Sequence, residues 1–110
     1  MKKFEIVIRD FYPFMFLKYY NTIWELVKKK HLVSLEVPIQ SGSERILKLM
    51  NRPVDVIELK ERLFEISQHD CKLETDLIVG FSSETDENFD ITMDFIKKVH
   101  FVTHFRQFLQ

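Results

Sequence analysis

Two short polar stretches carry most of the chemistry that residue types alone can suggest in this chain. They are Gln40-Ser41-Gly42-Ser43-Glu44-Arg45 and Asp76-Leu77-Ile78-Val79-Gly80-Phe81-Ser82-Ser83-Glu84-Thr85. Each follows or ends an apolar run, and each holds a glycine just before a helix-like pattern. Glycine lets backbone approach a ligand closely, and a helix start offers unpaired N–H donors to a carboxylate or phosphate. An anionic ligand group is therefore favoured at either stretch. Ser-Gly-Ser ahead of a helix also serves as a plain cap and turn, which is the commoner use of those residues.

Other reactive types are sparse. Cys71 is the only cysteine, so no internal disulfide can form, and its apolar neighbours predict a buried, inert thiol. His31, His69, His100 and His104 lack metal-ligand spacing and read as structural or solvated. Metal ligands are not expected among them. The formal net charge of −1 gives no bulk attraction for nucleic acid or an acidic membrane surface. Lys28, Lys29 and Lys30 suit the negative end of a helix dipole and read as a solvated helix end.

The elements that must position these residues follow from hydrophobic period. Residues 4–9 alternate as a strand, and about 14–30 carry Phe16, Tyr19, Tyr20, Ile23, Leu26 and Val27 at helical intervals. A second strand covers 32–39. Ser41 and Glu44 have capping-box spacing for a short helix ending at Asn51-Arg52-Pro53, and Asp55 and Glu58 repeat that signature for a helix to about Gln68. The segment from Lys72 to Phe81 contains Leu77-Ile78-Val79 and predicts a strand covered on both faces. A helix from Thr85 or Asp86 to Val99 is expected to bury Phe89, Met93, Ile96 and His100. Phe101 to Leu109 would form a fourth strand.

Strands alternating with helices predict an α/β fold with parallel pairing. About four βα units are present, against roughly 250 residues for a complete eight-fold barrel. The count fits a small doubly wound sheet or a partial parallel βα (TIM-like) barrel, with residues 1–110 forming one domain. The start Met1-Lys2-Lys3-Phe4-Glu5-Ile6-Val7-Ile8-Arg9 lacks the apolar core of a signal peptide, and no run of about 18 apolar residues suits a membrane helix. A cytoplasmic protein without a membrane partner is expected. Phenylalanines near both ends, including Phe11, Phe14, Phe16, Phe101, Phe105 and Phe108, predict self-association through exposed strand edges or apolar faces.

The order of the polar stretches adds a family resemblance. Pro38-Ile39-Gln40-Ser41-Gly42-Ser43-Glu44-Arg45-Ile46-Leu47-Lys48-Leu49-Met50-Asn51-Arg52 resembles the fourth-strand motif of the radical-SAM methylthiotransferases. Thr75-Asp76-Leu77-Ile78-Val79-Gly80-Phe81 with Glu84-Thr85 resembles the fifth-strand motif of that family. The likeness is strong over 35–90 and weak before residue 32, and it implies the later half of a radical-SAM barrel. Asp10-Phe11-Tyr12-Pro13 is compatible with the preceding unit.

By that resemblance, residues of these strand ends hold S-adenosylmethionine. Gln40 would contact the methionyl or ribose part, Arg52 the carboxylate, and Asp76 a ribose hydroxyl or the amino group. Ser41, Gly42 and Ser43 belong to the same motif, and Val79 and Gly80 would lie along the adenine. The complete enzymes carry a 4Fe-4S cluster on a Cys-x3-Cys-x2-Cys loop and attach a methylthio group to tRNA or a ribosomal protein. Cys71 cannot replace three thiolate ligands, so this chain alone is expected to be inactive. Where the family usually has Pro-Gly, this chain has Ser82-Ser83, and a positive φ at Ser83 would be mildly strained. The alternative reading is a noncatalytic α/β cofactor-binding or interaction module.

Overall fold

In a computed structural model, residues 4–107 are described. The elements are β1 (Ile6–Ile8), α1 (Pro13–Lys18), α2 (Tyr20–Lys28), β2 (Leu32–Glu36), α3 (Glu44–Leu49), α4 (Val56–Ser67), β3 (Lys72–Val79), α5 (Asp86–Val99) and β4 (Val102–Gln107). The strands form one four-stranded parallel sheet in the order β1-β2-β3-β4. Phe108 and Leu109, expected in the last strand, lie outside the described residues.

A doubly wound sheet needs a reversal of strand order, which sends helices to both faces. This order is strictly sequential, so successive crossovers of one hand leave the helices on one side. Burial agrees with that geometry. Leu35, Leu73 and Leu77 join one core with Ile23 and Val27 of α2, Leu59, Leu63 and Ile66 of α4, and Phe95 and Val99 of α5. The sheet does not close on itself. The fold is thus an open α/β sheet with a single helical layer, and no closed barrel is formed.

The expectation that β3 is covered on both faces does not hold. Leu73, Thr75 and Leu77 are buried, whereas Glu74, Asp76 and Ile78 are only partly buried. Side chains alternate across a strand, so the second face of β3 belongs to the uncovered side of the sheet. Thr75 is fully buried because it replaces missing ladder bonds. Its hydroxyl donates to the Val37 carbonyl at 2.7 Å and accepts from the Ile39 N–H at 3.0 Å, flanking Pro38, which has no N–H to give.

The helix predicted over about 14–30 is two helices, with Tyr19 at the junction at φ −107 and ψ 21. Pro13 begins α1, where its fixed φ and absent N–H cost nothing. The face of α5 is displaced by one residue from expectation. Asn88, Thr92, Phe95 and Val99 are buried, while Phe89 and His100 are exposed. Two of the buried residues are polar, and both are consumed in hydrogen bonds described below. The cap of α3 is Ser43, whose hydroxyl accepts from the Ile46 N–H at 3.4 Å. Ser41 therefore does not fill the expected capping role. Asp55 caps α4 as its spacing predicts.

Candidate functional site

Beyond the carboxyl ends of the strands lie two adjoining clefts. One of about 430 Å³ is walled by Tyr12, Pro13, Phe14, Pro38, Ile39, Gln40, Leu47, Arg52, Pro53 and Val54. The other, of about 440 Å³, is bounded by Asp10, Tyr12, Pro38, Gln40, Asp76, Ile78 and Arg106. Tyr12, Pro38 and Gln40 belong to both. Of the residues proposed from sequence, Gln40 borders both clefts, Arg52 lines only the first and Asp76 only the second.

Gln40 is held there by backbone strain. Its φ is +68, a region unfavourable for a residue with a side chain by about 1–2 kcal/mol. Its N–H donates to the Asp76 carbonyl at 2.9 Å, and its carbonyl accepts from the Ile78 N–H at 2.9 Å. Those bonds extend the parallel ladder past the end of β2 and fix the residue against β3. Arg52 follows the end of α3. Asn51 takes a left-handed φ of +58, and the Arg52 N–H returns to the Leu47 carbonyl at 2.8 Å, closing the helix through backbone alone. The guanidinium of Arg52 is free of that task and lies over the Tyr12 ring, 5.6 Å from its centroid. Asp76 projects from the open face of β3 and pairs with Arg106 of β4 at 3.2 Å.

Ser41, Gly42 and Ser43 are placed differently. All three are buried. The Gly42 N–H donates to Thr92 Oγ1 at 2.8 Å, Ser41 Oγ lies 3.2 Å from the same hydroxyl, and the Ser43 N–H donates to Ser41 Oγ at 3.0 Å. A Cβ at Gly42 would stand 2.9 Å from Thr92 Cα. The glycine is needed because the turn packs directly on the α5 backbone, so these three residues dock the loop onto the helix.

Val79 ends β3, and Gly80 follows at φ +76 with open space where a Cβ would point. The Gly80 N–H donates to Glu84 Oε1 at 3.1 Å. Ser83 has φ +67, the conformation anticipated where glycine is usual. It is steadied by Arg45, whose Nη1 donates to the Ser83 carbonyl at 2.9 Å and to Asn88 Oδ1 at 2.8 Å. Arg45 therefore ties the first polar stretch to the second. Its signal in the sequence was only its membership of the first stretch.

The lone thiol belongs to the opposite end of the sheet. Cys71 precedes β3, about 26 Å of extended chain from the Val79 end. Burial pushes its thiol up to about 11. Among the described residues no group of three or more His, Cys, Asp or Glu side chains is assembled to hold a metal. The residues present do not fit an iron–sulfur cluster. Their chemistry suits a small polar ligand instead, because a guanidinium lines one cleft, a carboxylate lines the other, and a glutamine borders both.

Four parallel strands in sequential order with their crossover helices define an α/β protein built of βα units. No family model matches the chain. Curated relatives do. The tRNA-2-methylthio-N(6)-dimethylallyladenosine synthase of Legionella pneumophila (strain Corby) is 41% identical over 88 residues, which cover 78% of this chain and 19% of that protein. The synthase of the same name from Cellvibrio japonicus is 40% identical over 91 residues, 81% of this chain and 19% of the relative. That of Aeromonas hydrophila is 44% identical over 69 residues, 61% of this chain and 14% of the relative. The chain belongs to the radical-SAM methylthiotransferase family. It spans about a fifth or less of the length of the curated relatives it matches. That family uses S-adenosylmethionine and iron–sulfur clusters. No helix among the described residues is long and apolar enough to cross a membrane.

Proposed function

We propose that this chain forms an arc of a parallel βα barrel and supplies part of the S-adenosylmethionine wall of a tRNA-directed methylthiotransferase. The observation that carries this reading is the placement of Gln40, at positive φ, on both of two adjoining clefts, one lined by Arg52 and the other by Asp76. Sequential strand order and a single helical layer support the barrel arc. The open sheet face then corresponds to a barrel interior, which explains why it is lined by Glu36, Glu74 and Asp76 instead of a second helix layer.

In this role Arg52 presents its fork to the cofactor carboxylate, and Asp76 accepts from an ammonium or a ribose hydroxyl. Gln40 both donates and accepts beside them, while the backbone of Val79 and Gly80 borders the adenine. Gly80 suits that place because nothing fills the space where its Cβ would be. Ser41, Gly42 and Ser43 act one step back, by fixing the loop that carries Gln40. S-adenosylmethionine held here would be the radical precursor of the complete enzyme, and the ligands of any cluster would be residues other than these. The relatives' names support a tRNA partner for the complete enzyme, and a cytoplasmic setting belongs to the same proposal; with a net charge of −1 this segment contributes cofactor contacts more than RNA affinity.

The reading is tested by replacing the matching Arg and Asp in a complete relative. Arg52→Ala and Asp76→Ala are each expected to weaken cofactor binding by about 1–3 kcal/mol, the usual loss of a charge-assisted contact. If both variants bind S-adenosylmethionine as the parent does, the assignment fails.

A further inference from the structure

The open face of the sheet pairs acids of β3 with basic residues of β3 and β4. Glu74 lies 3.6 Å from His104 Nε2 and 3.8 Å from Lys72 Nζ, and Asp76 lies 3.2 Å from Arg106 Nη2. Neighbouring Glu36 accepts from the Asp10 N–H at 2.9 Å. Only the Asp76–Arg106 pair reaches the mouth, where both residues line the cleft with Asp10, Tyr12 and Gln40. The two partners are unequally exposed. The Asp76 side chain is 16% exposed, so its carboxylate is fixed in the wall, whereas that of Arg106 is 72% exposed and can swing away.

We infer that Arg106 is a charge-selecting residue of this site: it acts as the resident counter-ion of Asp76 and yields that position when a cationic ligand enters. The inference rests on the cofactor reading above and specifies how the site discriminates. A positively charged ligand must displace Arg106 from Asp76 and also enters close to its charge. An uncharged ligand reaches Asp76 only through a ribose hydroxyl, which the carboxylate can accept on a free lone pair while Arg106 stays in place, so the pair is left intact. Arg106 therefore lowers affinity for cations and leaves neutral nucleosides unaffected, and it keeps the Asp76 carboxylate paired while the mouth is empty. An exposed partner makes the contact easy to break, because ion pairs with a solvent-exposed member are weak and screened by water.

The test compares two probes on the full 110-residue chain by isothermal calorimetry. S-adenosylmethionine carries a net positive charge, and 5′-methylthioadenosine presents the same nucleoside and sulfur without charge. Arg106→Gln is expected to tighten S-adenosylmethionine about two- to five-fold and to leave 5′-methylthioadenosine unchanged. The gain should shrink in 0.5 M salt and vanish when Asp76→Asn is also present. Unchanged or weaker S-adenosylmethionine binding in Arg106→Gln overturns the inference, as does an equal shift for both probes or a gain that survives Asp76→Asn. If parent and variants, folded by circular dichroism, all bind neither probe at millimolar concentration, the cofactor reading itself has failed and this inference falls with it.

Discussion

The two faces of the sheet obey different rules although they are built from the same strands. On the helical side, Leu35, Leu73, Thr75 and Leu77 are buried almost completely, and the polar member of that set has both of its hydrogen bonds satisfied. On the open side, alternate residues of the same strands are Glu36, Glu74 and Asp76, each with a donor or cation beside it. One face is organised by removal of apolar surface from water and the other by charge pairing. The difference teaches that β3 is not a strand awaiting a second helix layer. Its polar face is a surface to be used.

The comparison is broken most directly at adjacent residues. Leu77→Ala on the helical face should cost about 2–5 kcal/mol in urea unfolding. Ile78→Ala, one residue along and facing the other way, should cost under about 2 kcal/mol. Equal losses would mean that both faces are core. The two glycines give the next contrast. Gly42→Ala forces a Cβ to within 2.9 Å of the α5 backbone and should destabilise by about 1–3 kcal/mol. Gly80→Ala meets open space and should lose only about 1 kcal/mol to its positive φ.

Much of this was legible from residue patterns. Apolar period located the strands at 32–36 and 72–79 and the helix at 56–67, because their capping and turn residues agree with their hydrophobic spacing. What escaped did so for particular reasons. The buried face of α5 includes Asn88 and Thr92, and a search for apolar residues steps over them to Phe89 and Met93. Asn88 completes a local capping box with Thr85, but Arg45 also bonds to it, and Gly42 and Ser41 bond to Thr92, contacts that join residues far apart in sequence. Ser41 and Ser43 both offer a hydroxyl before α3, and only packing against Thr92 decides which one caps. At the clefts, Gln40, Arg52 and Asp76 were singled out through family resemblance. Asp10, Tyr12 and Arg106 were not, since nothing in residue type or spacing brings β1 and β4 to the same cleft.

Two smaller effects sharpen the contrast. Cys71 sits on the core side, and its thiol holds its proton up to about 11 instead of the ordinary 9.0. Across that interval the unfolded chain releases the proton more readily than the folded one, so this group's contribution to stability is constant below about pH 9 and falls as pH rises toward 11. Alkylation of the folded chain at pH 8 should therefore be much slower than of the urea-unfolded chain, as mass spectrometry would follow. A comparable rate would place Cys71 at the surface. Ser83→Gly should stabilise by no more than about 1 kcal/mol, as relief of positive φ is partly offset by loss of the 3.3 Å contact from Arg45 Nη2 to Ser83 Oγ. A large destabilisation in thermal unfolding would show that the hydroxyl, not the backbone, holds the loop.

The most direct test of the cofactor wall is nuclear magnetic resonance mapping of S-adenosylmethionine on the labelled chain. Saturable shifts are predicted for Gln40, Arg52, Asp76 and Gly80, with Leu63 and Ile66 of the helical layer unmoved. Shifts confined to the helical layer, or no shifts at millimolar ligand from a folded chain, would contradict the account.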